Sequence, residues 1–120
     1  MSEAGVWVAW GNPPARGREG QALALLKSSL TGYLEQLSTE GRIERYDAAV
    51  LKPQSTELGG FILIQGTHDQ IDALRTDQGF QTWVTQIQLV ADKVGIVDAW
   101  VGGGLAEAFA LYEKALEKLG

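Results

Sequence analysis

The order and polarity of the apolar segments predict an α+β domain, in which a sheet carries helices on one face. Segments 5–11 and 60–65 are apolar at both odd and even positions, which is typical of strands covered on both sides. Each is followed by a segment whose apolar residues recur at spacings of three and four, as in a helix packed through one face. Continued along the chain, these patterns give the order βαββαβα.

The first half of the chain is predicted to contain a strand over 5–11, a helix over 17–40 and a strand over 42–51. The prolines in 12–14 end the first strand, and Gly41 is placed to end the helix in the left-handed conformation. The buried face of this helix is predicted to consist of Leu23, Leu26, Leu30, Tyr33, Leu34 and Leu37.

The second half is predicted to begin with a polar loop over 54–58 and a strand over 60–65. Thr67 and Gln70 have the spacing of a capping box, so they predict the start of a second helix. Residues 77–79 should interrupt or re-cap that helix before its apolar face continues.

The C-terminal part is predicted to contain a fourth strand over 94–101 and a last helix over 105–119. The apolar residues of this helix alternate spacings of four and three, which predicts a narrow packing seam. Three glycines at 102–104 join the two elements, either as a flexible hinge or as a phosphate-binding loop. No Gly-x-Gly-x-x-Gly pattern or Lys-Ser/Thr pair follows, which favours the hinge.

These elements fit a ferredoxin-like βαββαβ plan with an antiparallel sheet of order 4-1-3-2. The central strands would be the most apolar, and the edge strands would carry the charges of Glu44, Arg45, Asp47 and Asp98. The chain is expected to form one domain, with a core over 5–101. One sheet face would have no helix on it, so either the C-terminal helix or a second copy should cover it.

The layout over 5–101 resembles the dimeric α/β-barrel superfamily, in the strand run 60–64, the turn 66–67 and the helix stretch 74–80. That superfamily includes small cofactor-independent monooxygenases, muconolactone isomerases, stress-responsive A/B-barrel proteins and YciI-like proteins. The resemblance implies that two sheets close into a barrel, with any pocket between sheet and helices. YciI-like proteins carry a histidine early in the first strand, whereas the matching stretch 6–10 has none.

Composition excludes several classes of function. The chain has 120 residues, no cysteine and one histidine, so neither disulfides nor thiolate or multi-histidine metal sites are available. A net charge of −5 argues against nucleic acid, and the third strand lacks the basic residue and aromatics of an RNA-recognition motif. No apolar run is long enough to span a membrane. We therefore expect a cytoplasmic protein without cofactor or metal.

Asp98 and His68 are the candidates for a catalytic base. Asp98 falls in an apolar row of the fourth strand, where its pKa could be raised. It could equally be an edge charge or pair with an arginine such as Arg45. His68 is the one side chain that titrates near neutrality, but its place in the capping box predicts an exposed first turn.

The candidate ligand-binding residues are aromatic or cationic: Trp10, Trp83, Trp100 and Arg45. The tryptophans could line a cavity for a planar ligand or simply fill the core. Trp7 and Trp10 are three residues apart in a strand, so they should point to opposite faces. Arg16 and Arg18, just before the first helix, could hold an anion or lie in a solvated loop.

The sequence favours a homodimeric protein that binds a small apolar or aromatic ligand. The alternative is a cofactor-independent monooxygenase or isomerase of the dimeric α/β-barrel type, as the resemblance implies. A purely structural dimer is the third possibility.

Overall fold

The computed structural model describes residues 2–12, 15–52 and 57–120. The predicted break at 13–14 and most of the loop predicted at 54–58 lie outside the described residues. The strands are β1 Ala4–Gly11, β2 Arg45–Val50, β3 Leu58–Gly66 and β4 Gly95–Trp100. The α-helices are α1 Glu19–Ser28, α2 Leu34–Thr39, α3 His68–Thr76, α4 Gln78–Val90 and α5 Leu105–Leu119.

The four strands form one antiparallel sheet in the order β2-β3-β1-β4. This is the predicted order 4-1-3-2 read from the other edge, so the α+β ferredoxin-like prediction is confirmed. The apolar strands β1 and β3 lie in the centre, and the charged strands β2 and β4 lie at the edges. Each strand is within a few residues of its predicted range.

The core lies between one face of the sheet and the helices. Even-numbered residues of β1 and β3 point toward the helices because side chains alternate along a strand. Val6, Val8, Ile62 and Ile64 are therefore buried completely or nearly so. Helix α2 adds its leucines and α4 adds Phe80, which has no exposed surface. Full burial of one such side chain contributes about 1.5–3 kcal/mol.

The helix predicted over 17–40 is not continuous. A π-helical turn at Ser29–Tyr33 separates α1 from α2. The hydroxyls of Ser28 and Ser29 both donate to the carbonyl of Leu25, and Thr31 donates to the carbonyl of Lys27. Side chains of this kind compete with the backbone for carbonyls and bend helices. Leu23, which was predicted to be buried, is 53% exposed.

The start signals of α3 and α4 are as predicted. The Thr67 hydroxyl accepts from the Gln70 amide at 3.1 Å, and the Gln70 side chain accepts from the Thr67 amide at 2.9 Å. Asp77 re-caps the chain by accepting from the Phe80 amide at 3.0 Å. This hydrogen bond, helped by Arg42, lowers the pKa of Asp77.

The other face of the sheet, called here the open sheet face, carries odd-numbered residues of all four strands. Trp7, Phe61, Leu63 and Val97 form its apolar centre, with the rings of Trp7 and Phe61 6.0 Å apart. Val97 is 53% exposed. Trp7 and Trp10 therefore do point to opposite faces, as their spacing predicts.

Helix α5 packs at the β4 edge and leaves the centre of the open sheet face without a helix. Ala108 is the one residue of α5 that is buried. The predicted seam is exposed along its length, at Leu105, Phe109, Tyr112, Leu116 and Leu119. The radius of gyration, 15.9 Å, exceeds the roughly 14 Å typical of a compact chain of this size.

The glycines before α5 form a short 3₁₀ turn, Gly102–Gly104. The backbone of residues 2–3 crosses directly over this turn. A Cβ at Gly104 would lie 1.9 Å from the carbonyl oxygen of Glu3, and Gly102 has a positive φ of 48°. Only glycine fits this close approach.

Replacing Thr67 with alanine should lower the free energy of unfolding by about 1 kcal/mol, because the N-terminal amides of α3 lose their cap. Chemical denaturation measures the change. Thr85→Ala is the matched control, since Thr85 lies inside α4 and donates to the carbonyl of Gln81. Alanine there should be neutral or slightly stabilising. Equal losses for the two variants would contradict the capping role.

Candidate functional site

A cavity of about 270 Å³ lies between the sheet and helices α1 and α4. The resemblance to the dimeric α/β-barrel superfamily implies a pocket in this position. Side chains of the sheet, of α1 and of α4 from Trp83 onward form its walls. Apolar residues dominate the lining, which includes Trp10, Leu25, Leu26, Ile62, Trp83 and Ile87. This space is called here the apolar cavity.

Trp10 reaches the apolar cavity because the neighbouring strand has a glycine beside it. Gly60 of β3 pairs with Trp10 of β1. A Cβ on Gly60 would lie 2.6 Å from Cζ2 of the Trp10 indole, so any larger residue would displace the ring. The glycine at the start of the third predicted strand therefore positions one aromatic wall of the cavity.

Trp83 forms the opposing wall and is held by a short chain of hydrogen bonds. Its side chain is 3% exposed, and its Nε1 donates to Oγ of Ser29 at 2.8 Å. The Ser29 hydroxyl in turn donates to the carbonyl of Leu25 at 2.6 Å. Because both polar groups are satisfied, the indole can be buried without the cost of an unpaired N–H.

Tyr33 packs behind this wall, with its ring 5.3 Å from that of Trp83. Its hydroxyl is buried and has no hydrogen-bond partner among the described residues. Burial, helped by the negative charge of Asp77, raises the pKa of Tyr33 to about 12. The phenol is therefore held in its neutral form.

Two of the four predicted ligand-binding residues meet at the apolar cavity, and two do not. Trp10 and Trp83 line it. Trp100 lies at the end of β4 and is 39% exposed. Arg45 lies on the open sheet face, where its guanidinium pairs with Asp47 at 2.9 Å. Arg45 has an odd register in β2, so its side chain is directed away from the helices and does not reach the cavity.

Trp100 instead contributes to a second, more open depression beside β4 and α3, called here the His68 groove. This groove also contains both candidate bases, His68 and Asp98, together with Arg75. His68 is in the exposed first turn of α3, as predicted. Its Nε2 lies 3.0 Å from a carboxylate oxygen of Glu107 and 3.2 Å from one of Glu3.

Asp98 pairs with an arginine, which was one of the alternatives from the sequence, but the partner is Arg75 and not Arg45. Asp98 lies 3.3 Å from Arg75 of α3 and not near Arg45. The two residues are on opposite edge strands, and Asp98 points toward the helices whereas Arg45 points to the open sheet face. The even register of Asp98 in β4 places it opposite Val6 and hence beside α3.

Several lining residues of the apolar cavity were not identified from the sequence. Ser29 gives no signal on its own, because a serine in a helical segment is usually exposed. Val50 and Ile62 belong to predicted strands, but their facing depends on register. Gly60 offered the one available clue, since glycine in a strand indicates close approach of another group.

The structure offers no site for a metal and no membrane span in its described part. No cluster of three or more His, Asp or Glu side chains suitable for a metal occurs over residues 2–12, 15–52 and 57–120. Within the same ranges, no helix has the length and apolarity needed to cross a bilayer.

Solved structures with the same fold come from several bacteria. A dimeric protein of unknown function with a ferredoxin-like fold from Bacteroides fragilis is similar at 10% identity and a TM-score of 0.61, over 82% of this chain and 95% of the other. A dimeric ferredoxin-like protein of unknown function from Jannaschia sp. is similar at 13% identity and a TM-score of 0.59, over 82% and 99%.

An ethyl tert-butyl ether D (EthD) family protein from Bacillus halodurans is similar at 7% identity and a TM-score of 0.56, over 82% of this chain and 97% of the other. No protein-family model and no curated protein matches the chain. The similarity confirms the ferredoxin-like fold. At these identities it carries no activity across.

Replacing Tyr33 with phenylalanine should leave the free energy of unfolding at neutral pH unchanged or slightly higher, because a buried hydroxyl without a partner is removed. The folded wild type holds a proton that the unfolded chain releases near pH 10, so its stability should fall as pH rises from about 10 to about 12. Urea denaturation across this range should show a smaller fall for Tyr33→Phe.

Tyr46→Phe is the matched control at neutral pH. The Tyr46 hydroxyl donates to Glu35 at 2.6 Å and lies 3.2 Å from the carbonyl of Leu30, so its removal should lower stability. Parallel curves for wild type and Tyr33→Phe above pH 10 would contradict the burial argument.

Proposed function

We propose that this protein is a homodimer that binds a small apolar or aromatic ligand in the apolar cavity. The observation that carries the proposal is the cavity itself: about 270 Å³ of apolar space between two tryptophans, Trp10 and Trp83. Small-molecule sites are mostly concave, apolar and formed before the ligand arrives. The apolar cavity has these properties.

The volume of the apolar cavity suits a ligand of one or two aromatic rings. An apolar cavity of about 150 Å³ is enough to admit benzene and stays dry without it. The present cavity is larger, though it lies just below the usual range for drug-sized ligands. Offset or edge-to-face contacts with the two indoles would favour an aromatic body.

The lining leaves few polar groups to act on a ligand. The Ser29 hydroxyl and the Trp83 N–H already bond to each other. Glu19, in the first turn of α1, is the one carboxylate among the described lining residues. Selection among ligands would therefore depend on their shape and on apolar contact with the lining.

The positions of the candidate bases support binding over oxygenation or isomerisation. Base-dependent chemistry requires a proton acceptor within hydrogen-bonding reach of the substrate. Asp98 and His68 line the His68 groove, not the apolar cavity, and each is next to an ion-pairing partner. Glu19, the carboxylate that does line the cavity, is exposed in the first turn of α1. We therefore propose the binding function rather than the enzymatic one.

The open sheet face supports the homodimer. Its apolar centre is bordered at the β2 edge by polar groups, where Arg45 pairs with Asp47 and Gln65 donates to Asp47 at 2.8 Å. An apolar core with a polar rim is the usual anatomy of an interface. Two of the similar structures are described as dimeric. Pairing of two open sheet faces would cover Trp7, and the exposed seam of α5 would extend the contact to the partner.

Ligand binding should appear as saturable quenching of tryptophan fluorescence. In a Trp7→Phe, Trp100→Phe background, the remaining indoles are the two that line the apolar cavity. Titration with neutral 1-nitronaphthalene should quench them to a plateau. Ala22→Phe, on the half-buried cavity side of α1, should fill the space and abolish the plateau.

Ala24→Phe is the matched control, because Ala24 is exposed on the same helix and does not line the cavity. It should leave the quenching curve unchanged. A linear, unsaturable response in the parent protein would contradict the binding function and leave the purely structural dimer.

Dimerisation should appear as a mass near twice the 13.0 kDa of one chain in light scattering at micromolar concentration. Val97→Lys should convert the dimer to monomers without unfolding, because Val97 is exposed in the single chain but would be buried between two sheets. Ala24→Lys adds the same charge to the outer surface of α1 and should remain dimeric. A monomeric wild type would refute the proposal.

A further inference from the structure

A further depression, distinct from the His68 groove, adjoins the apolar cavity at the C-terminal end of α4. It has a volume of about 530 Å³, and its lining includes Arg16, Arg18, Leu89, Ala91, Asp92 and Lys93. Ala91 lines both this depression and the apolar cavity. Glu19 of the cavity directly follows Arg18 in the chain. The two spaces therefore share one lining residue.

This depression, called here the cationic depression, carries a local positive charge, although the net charge of the protein is −5. It contains three cationic side chains, Arg16, Arg18 and Lys93, and one carboxylate, Asp92. Lys93 pairs with Glu57. Neither arginine forms an ion pair with a residue that the structure describes.

Backbone contacts shape the cationic depression and hold one of its arginines. The Arg18 guanidinium donates to the carbonyl of Leu89, in the last turn of α4. That contact uses one of five donors, which leaves the others for a ligand. Lys93 adopts a left-handed conformation, with φ of 55°, which is uncommon for a residue other than glycine. The Gly11 amide donates to the carbonyl of Asp92 at 2.9 Å, which ties the backbone of this lining residue to β1.

We propose that the ligand of the apolar cavity is an organic acid, whose apolar body lies between the tryptophans and whose carboxylate lies in the cationic depression against Arg16 and Arg18. The inference rests on the proposed ligand-binding function and adds the charge of the ligand to it. A carboxylate matches the donor geometry of a guanidinium. A neutral hydrocarbon would leave the two arginines unused, and a cation would be repelled.

The positive potential is local to the start of α1. The position just before α1 adds the positive end of a helix dipole to the arginines. Charge-assisted hydrogen bonds are stronger than neutral ones, so a carboxylate should gain about tenfold or more in affinity over a neutral isostere.

Two probes of matched shape test the proposal: 2-naphthoate, which is an anion at neutral pH, and neutral 2-naphthylmethanol. Calorimetric titration of the full chain at low salt should give a dissociation constant for 2-naphthoate about tenfold or more below that for 2-naphthylmethanol. Raising the ionic strength from about 0.05 M to about 0.5 M should reduce this ratio.

The double variant Arg16→Gln, Arg18→Gln should bring the ratio of the two constants close to one. Lys27→Gln, Lys114→Gln removes the same net charge from residues that line neither space, and it should keep the wild-type ratio. The comparison of the two probes in the wild type needs no variant, so it tests the organic-acid inference even if the double variant does not fold.

The possible outcomes separate this inference from the function on which it rests. Equal affinity of the wild type for both probes would overturn the organic-acid inference and leave ligand binding intact. A ratio that is unchanged in the arginine variant would also overturn it. Failure of both probes to bind would refute the proposed function and this inference together.

Discussion

The hydrogen bond from Trp83 to Ser29 is the interaction on which the candidate site depends. A buried indole N–H without an acceptor would cost about 1–3 kcal/mol. Ser29 supplies the acceptor because its own hydroxyl is turned toward the Leu25 carbonyl at the start of the π-helical turn. The turn thus places a serine, not a leucine, against the indole. None of the α1 side chains is fully buried, so space remains between α1 and the sheet.

The sequence was sufficient for the order of elements and the order of strands, because both depend on polarity and period. Strands that are apolar on both faces must be central, and strands with charges such as Asp47 and Asp98 must be edges. The capping box at Thr67 was equally readable, since it involves residues three apart. The π-helical turn was not, because it depends on hydroxyls that bond within one turn and on a tryptophan 54 residues away.

The candidate site was only half predictable for the same reason. Trp10 and Trp83 could be proposed from residue type, and the structure does bring them together. Arg45 and Trp100 have equally suggestive side chains, but register and strand position direct them elsewhere. The facing of a strand residue changes with a shift of one position. Residue chemistry alone therefore suggests candidates, and the pairing of strands decides which of them meet.

The proposed ligand site and the proposed dimer contact lie on opposite faces of the same two central strands. Along β1, Trp10 points to the apolar cavity and Trp7 points to the open sheet face. Because side chains alternate strictly, the cavity and the dimer contact use separate sets of side chains. Coupling between the two would have to pass through the backbone of β1 and β3, which is fixed by hydrogen bonds on both sides. A rigid sheet of this kind favours independent binding and assembly, so ligand affinity should not depend on protein concentration.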